Sequence, residues 1–231
     1  MLKYIFIFLL NIISRFHMNR LKNYFNDKRL NIIFDIGAHN GDFVDNFFLK
    51  HPYSKFYCFE PLEKNYLLLK KKYSNNQNVE IYKNGIGEKN ENLEINVNIT
   101  TNASSFSEFN EEALFYRFRK FLLGAKKIVT HKEKCEIISL DDFVLNQQIS
   151  FIDLIKIDVE GYELKVLKGA IDTLKNTKYV IIEVTLSNIF KNYNKDEIIK
   201  LLENNGFKKE KSYLFPVMNF EDRIYKNTNI T

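Results

Sequence analysis

Five short strings hold the acids and glycines with which this chain could do chemistry. They are DIGAHNG at 35–41, FEP at 59–61, NGIG at 84–87, DVEGYE at 158–163 and EV at 183–184. Each follows an apolar, strand-like run, and four of the five carry a carboxylate. Phosphate groups seek amide donors and positive charge. A crevice lined by these strings would repel a pyrophosphate and accept a cation.

The first string tests that inference. A dinucleotide fingerprint, G-x-G-x-x-G, needs its second glycine for close approach of the pyrophosphate and its third for helix packing. Counting from Gly37, position 39 is His and position 42 is Asp. The histidine β-carbon crowds the approach, and Asp42 puts a negative charge where phosphate would sit. No G-x-x-x-x-G-K-[ST] loop is present either. What remains is Asp35, Gly37 and Gly41, with Ala38, His39 and Asn40 between the glycines. Glu60, followed by Pro61, lies 19 residues past Gly41, the spacing at which an acid takes ribose hydroxyls. A cationic adenosine derivative without phosphates meets these constraints, and S-adenosylmethionine is such a molecule.

These strings need elements to hold them. NIIFDIG, KFYCFEP, VEIYKNGIG, FIDLIKIDVEGYE and KYVIIEV read as strands. Between them GDFVDNFFLKH, LEKNYLLLKKKY, ELKVLKGAIDTLKN and NKDEIIKLLENNGF read as helices, the last stopped by Gly206. Leu62, Tyr66, Leu69 and Tyr73 form one stripe, and Leu164, Leu167, Ile171 and Leu174 another. This alternation predicts an α/β fold with a doubly wound parallel sheet, whose ligands bind at the carboxyl ends of the strands. NLEINVN alternates like an added strand, and FKKEKSYLF supplies a last one. Residues 100–133 fit no simple period and read as an insertion over the sheet edge, before the fourth core strand. Its aromatics Phe106, Phe109, Phe115, Tyr116 and Phe118 suit either sugar stacking or a core.

The strings FDIGAHNGDF, FEP, NGIGEKNENLEI, SLDDF and IKIDVEGYELKVLKGA, in that order, resemble the FkbM family of S-adenosylmethionine-dependent methyltransferases. The resemblance runs from about residue 30 to 190, and IDVEG-E is its most specific part. It implies a class I methyltransferase (Rossmann-like) fold with seven mostly parallel strands. It also implies O-methylation, with hydroxyls of natural products and glycans as the usual acceptors. The turn Gly37 to Gly41 would then hold the methionine part of the cofactor, with Asn84 and Gly85 near adenine. Asp158, Glu160 and Gly161 would face the transferred methyl, and Glu183 would end the neighbouring strand.

Methyl transfer from a sulfonium is an in-line displacement that gains from alignment and from removal of the acceptor proton. Asp158 is the first candidate to orient or deprotonate the acceptor, with Glu160 and Glu183 beside it. Clustered acids raise one another's pKa, or together hold a divalent cation that acidifies the hydroxyl. No metal site is predicted: the four histidines are scattered, and Cys58 and Cys135 have no metal-type spacing. His39 has two readings, shaping the turn with its N–H toward the cofactor or reaching the acceptor as a base.

The totals set the frame. A chain of 231 residues, 45% hydrophobic and 27% charged, suits one domain with a full core. The two cysteines make no disulfide framework, which fits a cytoplasmic setting. The net charge of +5, on a chain whose lysines are spread along its length, favours acidic partners weakly, and with no arginine-rich block or aromatic RNA-binding motif no DNA partner is expected. Residues 1–29 form a separate apolar and basic helical segment ahead of a domain at 30–231. Its apolar run, Tyr4 to Ile13, is too short to span a bilayer. A signal-peptide reading lacks a small-x-small cleavage site. Packing on the domain, packing on a second copy and peripheral contact with the inner membrane face stay open. The expected acceptor is a sugar hydroxyl of a glycan or lipid-linked glycan precursor. A small natural product, RNA, NAD-dependent oxidation and non-catalytic binding are the competing readings.

Overall fold

The computed structural model describes residues 2–99, 103–215 and 219–230, with side chains from Ile12 onward. Residues 100–102, in the polar start of the expected insertion, lie outside the described residues. The chain opens with α1 (Leu2–Tyr24) and continues through β1 (Ile32–Ile36), α2 (Asp42–Phe48), β2 (Lys55–Phe59), α3 (Glu63–Lys72) and β3 (Val79–Tyr82). There follow β4 (Gly85–Gly87), β5 (Glu91–Asn98), α4 (Leu114–Leu122), β6 (Val129–Ser139) and α5 (Leu140–Asn146). The second half holds β7 (Ile152–Ile157), α6 (Glu163–Lys168), α7 (Ile171–Lys175), β8 (Thr177–Thr185), α8 (Lys195–Asn204), β9 (Phe207–Phe215) and β10 (Phe220–Asn227).

Seven strands form one sheet in the order β3-β2-β1-β7-β8-β10-β9. The pairs from β3 to β8 are parallel, and β10 runs antiparallel to both its neighbours. The order reverses between β1 and β7, which is where a doubly wound sheet opens a crevice. Strands buried on both faces read as near-continuous apolar runs, and β7 is buried at every position. One face packs Phe34, Phe59, Ile157 and Ile182 under α5 to α8, and the other packs Ile33, Phe56, Cys58 and Ile181 under α1 to α3. Cys58 is thus a small buried hydrophobe.

The insertion before the fourth core strand is a second sheet, β4-β6-β5, with α4 between β5 and β6. β6 begins at Val129, so the end of the aperiodic stretch is strand. The single amphipathic helix expected over 163–176 is two short ones. It breaks at Gly169, where a β-carbon would lie 1.9 Å from the Gly87 carbonyl oxygen, so backbone meets backbone between α6 and β4. The seventh strand, β10, has no clean alternation in sequence. Its charges are spent inside the fold, with Asp222 on His17 and Arg223 on Glu221.

The helical segment at the amino terminus joins the domain over its second half. Leu21 and Phe25 are buried in the same cluster as Ile33, Phe47 and Ile224. A fully buried phenylalanine contributes about 1.5–3 kcal/mol, and Phe25 has no exposed surface.

Candidate active site

The carboxyl ends of β1, β2 and β7, with the start of the second sheet, surround a crevice. The turn after β1 is built by close approach. Gly37 has φ +85°, and a β-carbon there would sit 2.0 Å from the Asp158 carbonyl oxygen. The Gly37 and Ala38 N–H groups both donate to the Phe59 carbonyl, at 3.1 and 3.0 Å, tying the turn to the end of β2. His39 takes φ +47°. Its N–H donates to Glu60 Oε2 at 2.8 Å. The backbone donor expected to meet the cofactor therefore meets the acid that follows β2. Burial lowers the His39 imidazole below its ordinary pKa.

Glu60 also accepts from the Leu62 N–H at 3.0 Å and from Asn65 Nδ2 at 3.3 Å. Burial pushes its carboxyl up to about 7 against those hydrogen bonds. A carboxylate offers about four acceptor sites, so Glu60 keeps capacity for a ribose hydroxyl at the crevice wall. Pro61, Asn84, Gly85, Phe59, Ile86 and Phe106 line the same space. The Asn84 amide donates to Glu136 at 3.0 Å. Gly85 is tight because a β-carbon would press on Ile137 and Phe106.

The rest of the glycine turn does other work. Ala38 is buried. Asn40 is exposed, and its Oδ1 accepts from the Asp42 N–H at 3.2 Å, which starts α2. Gly41, at φ +81°, lies under Tyr73, whose hydroxyl donates to the Gly41 carbonyl at 2.9 Å. Of the predicted turn residues, Gly37 and His39 reach the crevice.

Asp35 has no exposed surface and stands behind the turn. Its partner is Lys156, absent from the sequence reading, whose ammonium lies 3.2 Å from Asp35 and 3.1 Å from Asp158. The same ammonium donates to the Gly37 carbonyl at 3.3 Å. Burial pushes Lys156 down, but the two carboxylates outweigh it and hold the ammonium above its ordinary pKa. Burial raises Asp35, with Lys156 opposing. One lysine thus joins β1, the glycine turn and the acid after β7. A lysine in the middle of the apolar run IDLIKID was the available signal, since a charge buried there needs partners.

Asp158, Glu160 and Glu183 come together at the ends of β7 and β8, with one carboxylate oxygen from each within 4.8 Å of the others. Glu160 at φ +52° and Gly161 at φ +93° form a left-handed pair. Such a conformation costs energy for a non-glycine residue and persists where its surroundings hold it. Here the insertion does so: the Ser105 hydroxyl donates to the Glu160 carbonyl and the Ser107 hydroxyl to the Gly161 carbonyl. A β-carbon at Gly161 would sit 2.6 Å from the Phe190 ring.

Beyond the acids lies a second space, lined by Phe115, Arg119, Glu160, Glu183, Thr185, Ile189, Phe190 and Phe220. Glu160 lines both spaces. Burial pushes its carboxyl up to about 8, with Arg119 pulling it down and Asp158 and Glu163 pushing it up. Burial, then Asp158 and Glu160, raise Glu183 well above the usual carboxylate range. Two acids this close hold a proton between them near neutrality. Among the insertion aromatics, Phe106 lines the first space and Phe115 the second. Phe109 and Tyr116 are buried in a small core with Phe190, and Phe118 is exposed. Arg119, Phe190 and Phe220 were not foreseen. They come from α4, from the segment between β8 and α8, and from the start of β10.

A family model described as "Methyltransferase FkbM domain" matches residues 35–209. The hexuronic acid methyltransferase AglP of Haloferax volcanii is 38% identical over 61 residues, 24% of this chain and 26% of that protein. The chain thus aligns with about a quarter of this curated relative's length. Among solved structures, the N-methyltransferase NodS from Bradyrhizobium japonicum is 9% identical with a TM-score of 0.52, covering 94% of this chain and 97% of that one. A protein of the NADB-Rossmann superfamily from Streptococcus agalactiae is 14% identical with a TM-score of 0.52, covering 93% and 69%. These structures share the Rossmann-like fold. The match over 35–209 spans the glycine turn, Glu60 and all three acids, and the chain belongs to the FkbM family of S-adenosylmethionine-dependent methyltransferases.

Proposed function

We propose that this methyltransferase acts on a hydroxyl of a sugar, in a glycan or a lipid-linked glycan precursor. One observation carries the reading: Glu160 lines both a crevice suited to a nucleoside and a second space walled by aromatic rings, where Glu183 stands beside it. Aromatic faces suit the apolar side of a sugar ring, and a carboxylate pair suits its hydroxyls. The partial likeness to a hexuronic acid methyltransferase supports the same class.

When bound, S-adenosylmethionine supplies a methyl carbon activated by a sulfonium. Gly37 and His39 would border its amino acid part, Glu60 its ribose, and Asn84, Gly85 and Phe106 its base. The fit rests on the crevice that Gly37, His39 and Glu60 line together and on the spare acceptor capacity of buried Glu60. Asp158, held by Lys156, places a carboxylate at the border of the crevice. That group suits a cationic ligand and disfavours a pyrophosphate. Glu160 and Glu183 would hold the sugar hydroxyl, and the ionised member of the pair would take its proton as the oxygen replaces sulfur on the methyl carbon, the methyl–sulfur bond breaking to leave the neutral thioether. Alignment of this kind lowers a barrier by about 7–11 kcal/mol, and a placed base adds about 10²–10⁴-fold.

A second reading has its own observation. Three carboxylate oxygens within 4.8 Å match the hard-oxygen chemistry of a divalent cation, which would acidify the hydroxyl directly. Chelation separates the two: turnover lost with a chelator and restored by magnesium selects the cation, and unchanged turnover selects the shared proton. The acceptor class is tested by mass spectrometry of glycans from cells lacking the gene. A sugar missing one methyl group, restored by the native gene, supports the reading, and an unchanged glycan profile overturns it.

A further inference from the structure

The charge of the chain is not evenly placed. Residues 1–30 contain six lysines and arginines and one aspartate, which accounts for the whole excess of +5, while residues 31–231 balance at 28 of each sign. The same thirty residues hold the apolar run from Tyr4 to Ile13.

The direction of α1 gives that segment a place. Phe25, just past its end, packs at 5.4 Å on Tyr179, near the start of β8. His17 bonds Asp222 at 2.6 Å, and Asp222 pairs with Glu183 toward the end of β8. The helix therefore runs antiparallel to β8. His17 is the first buried residue among its described side chains, and Ile12, Ser14, Arg15 and Phe16 before it are exposed. The helix starts at Leu2. At 1.5 Å per residue, its leading part carries about 22 Å beyond His17. It leaves the sheet at the end where the strands present the acids. Phe220, a wall of the second cavity, lies 6.3 Å from the His17 ring.

Basic groups follow the docked half. Arg20 lies over the Tyr213 ring at 4.6 Å and Lys28 over Tyr24 at 4.5 Å. Lys211 pairs with Ile224, whose side chain lies in the cluster under α1, so Lys211 faces the same side. Glu210 on this strand is taken by the Tyr24 hydroxyl. No described helix is long and apolar enough to cross a membrane.

We propose that the leading half of α1 lies in the headgroup–acyl boundary of an anionic membrane, which brings the mouth of the second cavity to the lipid surface. An apolar helical stretch with basic residues behind it binds such a surface through buried area and charge together. The occupant is a bilayer rather than a second copy, because a symmetric pairing of α1 would set this whole charge excess against itself. The anchor stands apart from the acceptor reading. Delivery of a lipid-linked glycan to the cavity rests on it.

Flotation of the full chain with vesicles tests the anchor without any catalysis. On phosphatidylcholine mixed with phosphatidylglycerol at low salt, binding is expected to exceed that on phosphatidylcholine alone by at least about tenfold. Phe6→Asp with Leu9→Asp should abolish it while leaving thermal unfolding and S-adenosylmethionine binding intact. Arg15→Gln should weaken it by roughly fivefold, the worth of one surface charge. Wild-type chain that stays off anionic vesicles overturns the anchor, as does binding untouched by these variants or self-association through α1 in its place. If vesicles bind the chain but lipid-linked and free glycans are methylated equally fast, the anchor survives and the delivery role falls.

Discussion

Lys156 shows how much one side chain can hold together. It touches Asp35, Asp158 and the Gly37 carbonyl, so its loss would leave a buried acid unpaired and the glycine turn loose. Removing one member of a buried pair typically costs about 3–5 kcal/mol. Lys156→Met should lower stability by that order in chemical denaturation and weaken S-adenosylmethionine binding with it. Asp158→Asn is the milder probe, because it leaves Asp35 its partner. It should lose turnover while calorimetry still finds the cofactor bound, and unchanged turnover would remove Asp158 from the site. Glu160 sets the pH dependence. Its carboxyl, pushed up to about 8, is protonated at lower pH and cannot accept the sugar proton there. The rate should therefore rise with pH toward about 8, and a rate flat from pH 6 to 9 would assign the base elsewhere.

At the scale of elements, the insertion sheet and α4 close the acceptor side. Phe115 and Arg119 of α4 line the second cavity and are absent from the first. Phe115→Ala should raise KM for the acceptor roughly tenfold while leaving cofactor affinity unchanged. A parallel loss of cofactor affinity would show that the two spaces are one. This is also where legibility from sequence divides. The β1–β2 unit could be read because its signals are local: a glycine turn after one strand and Glu60 at a fixed spacing after the next. The acids at 158, 160 and 183 could be read because they end consecutive parallel strands. Arg119, Phe190 and Phe220 meet only through tertiary packing, and no spacing connects them. β10 stayed hidden because its charges satisfy His17 and Glu221 inside the fold. Lys156 was in plain view within an apolar strand, and burial arithmetic alone would have asked for its partners.

For the whole molecule, the buried acids link stability to pH. Burial raises Glu60 and Glu163 to about 7 and Glu160 to about 8, against ordinary values of 4.5. In the folded chain they hold protons that the unfolded chain has already released. Stability from these groups is therefore fullest below about pH 4.5 and declines as pH rises through 7 to 8. Melting temperatures of the cofactor-free protein should fall across that window. Glu163→Gln, which removes one such group, should flatten the fall and, by taking away a carboxyl that pushes Glu160 up, should move the pH–rate profile to lower pH.

The central claim is that Glu160, which lines both spaces, drives methylation of a sugar hydroxyl with Glu183 beside it. Single-turnover transfer of a labelled methyl from S-adenosylmethionine to glycan acceptors tests it most directly, comparing the native chain with Glu160→Gln. The account predicts a labelled methyl ether on the sugar with the native chain. It predicts a rate about 10²–10⁴-fold lower in the variant, with cofactor affinity within twofold. A variant as fast as the native chain, or label that never reaches a sugar oxygen while the cofactor binds normally, would contradict it.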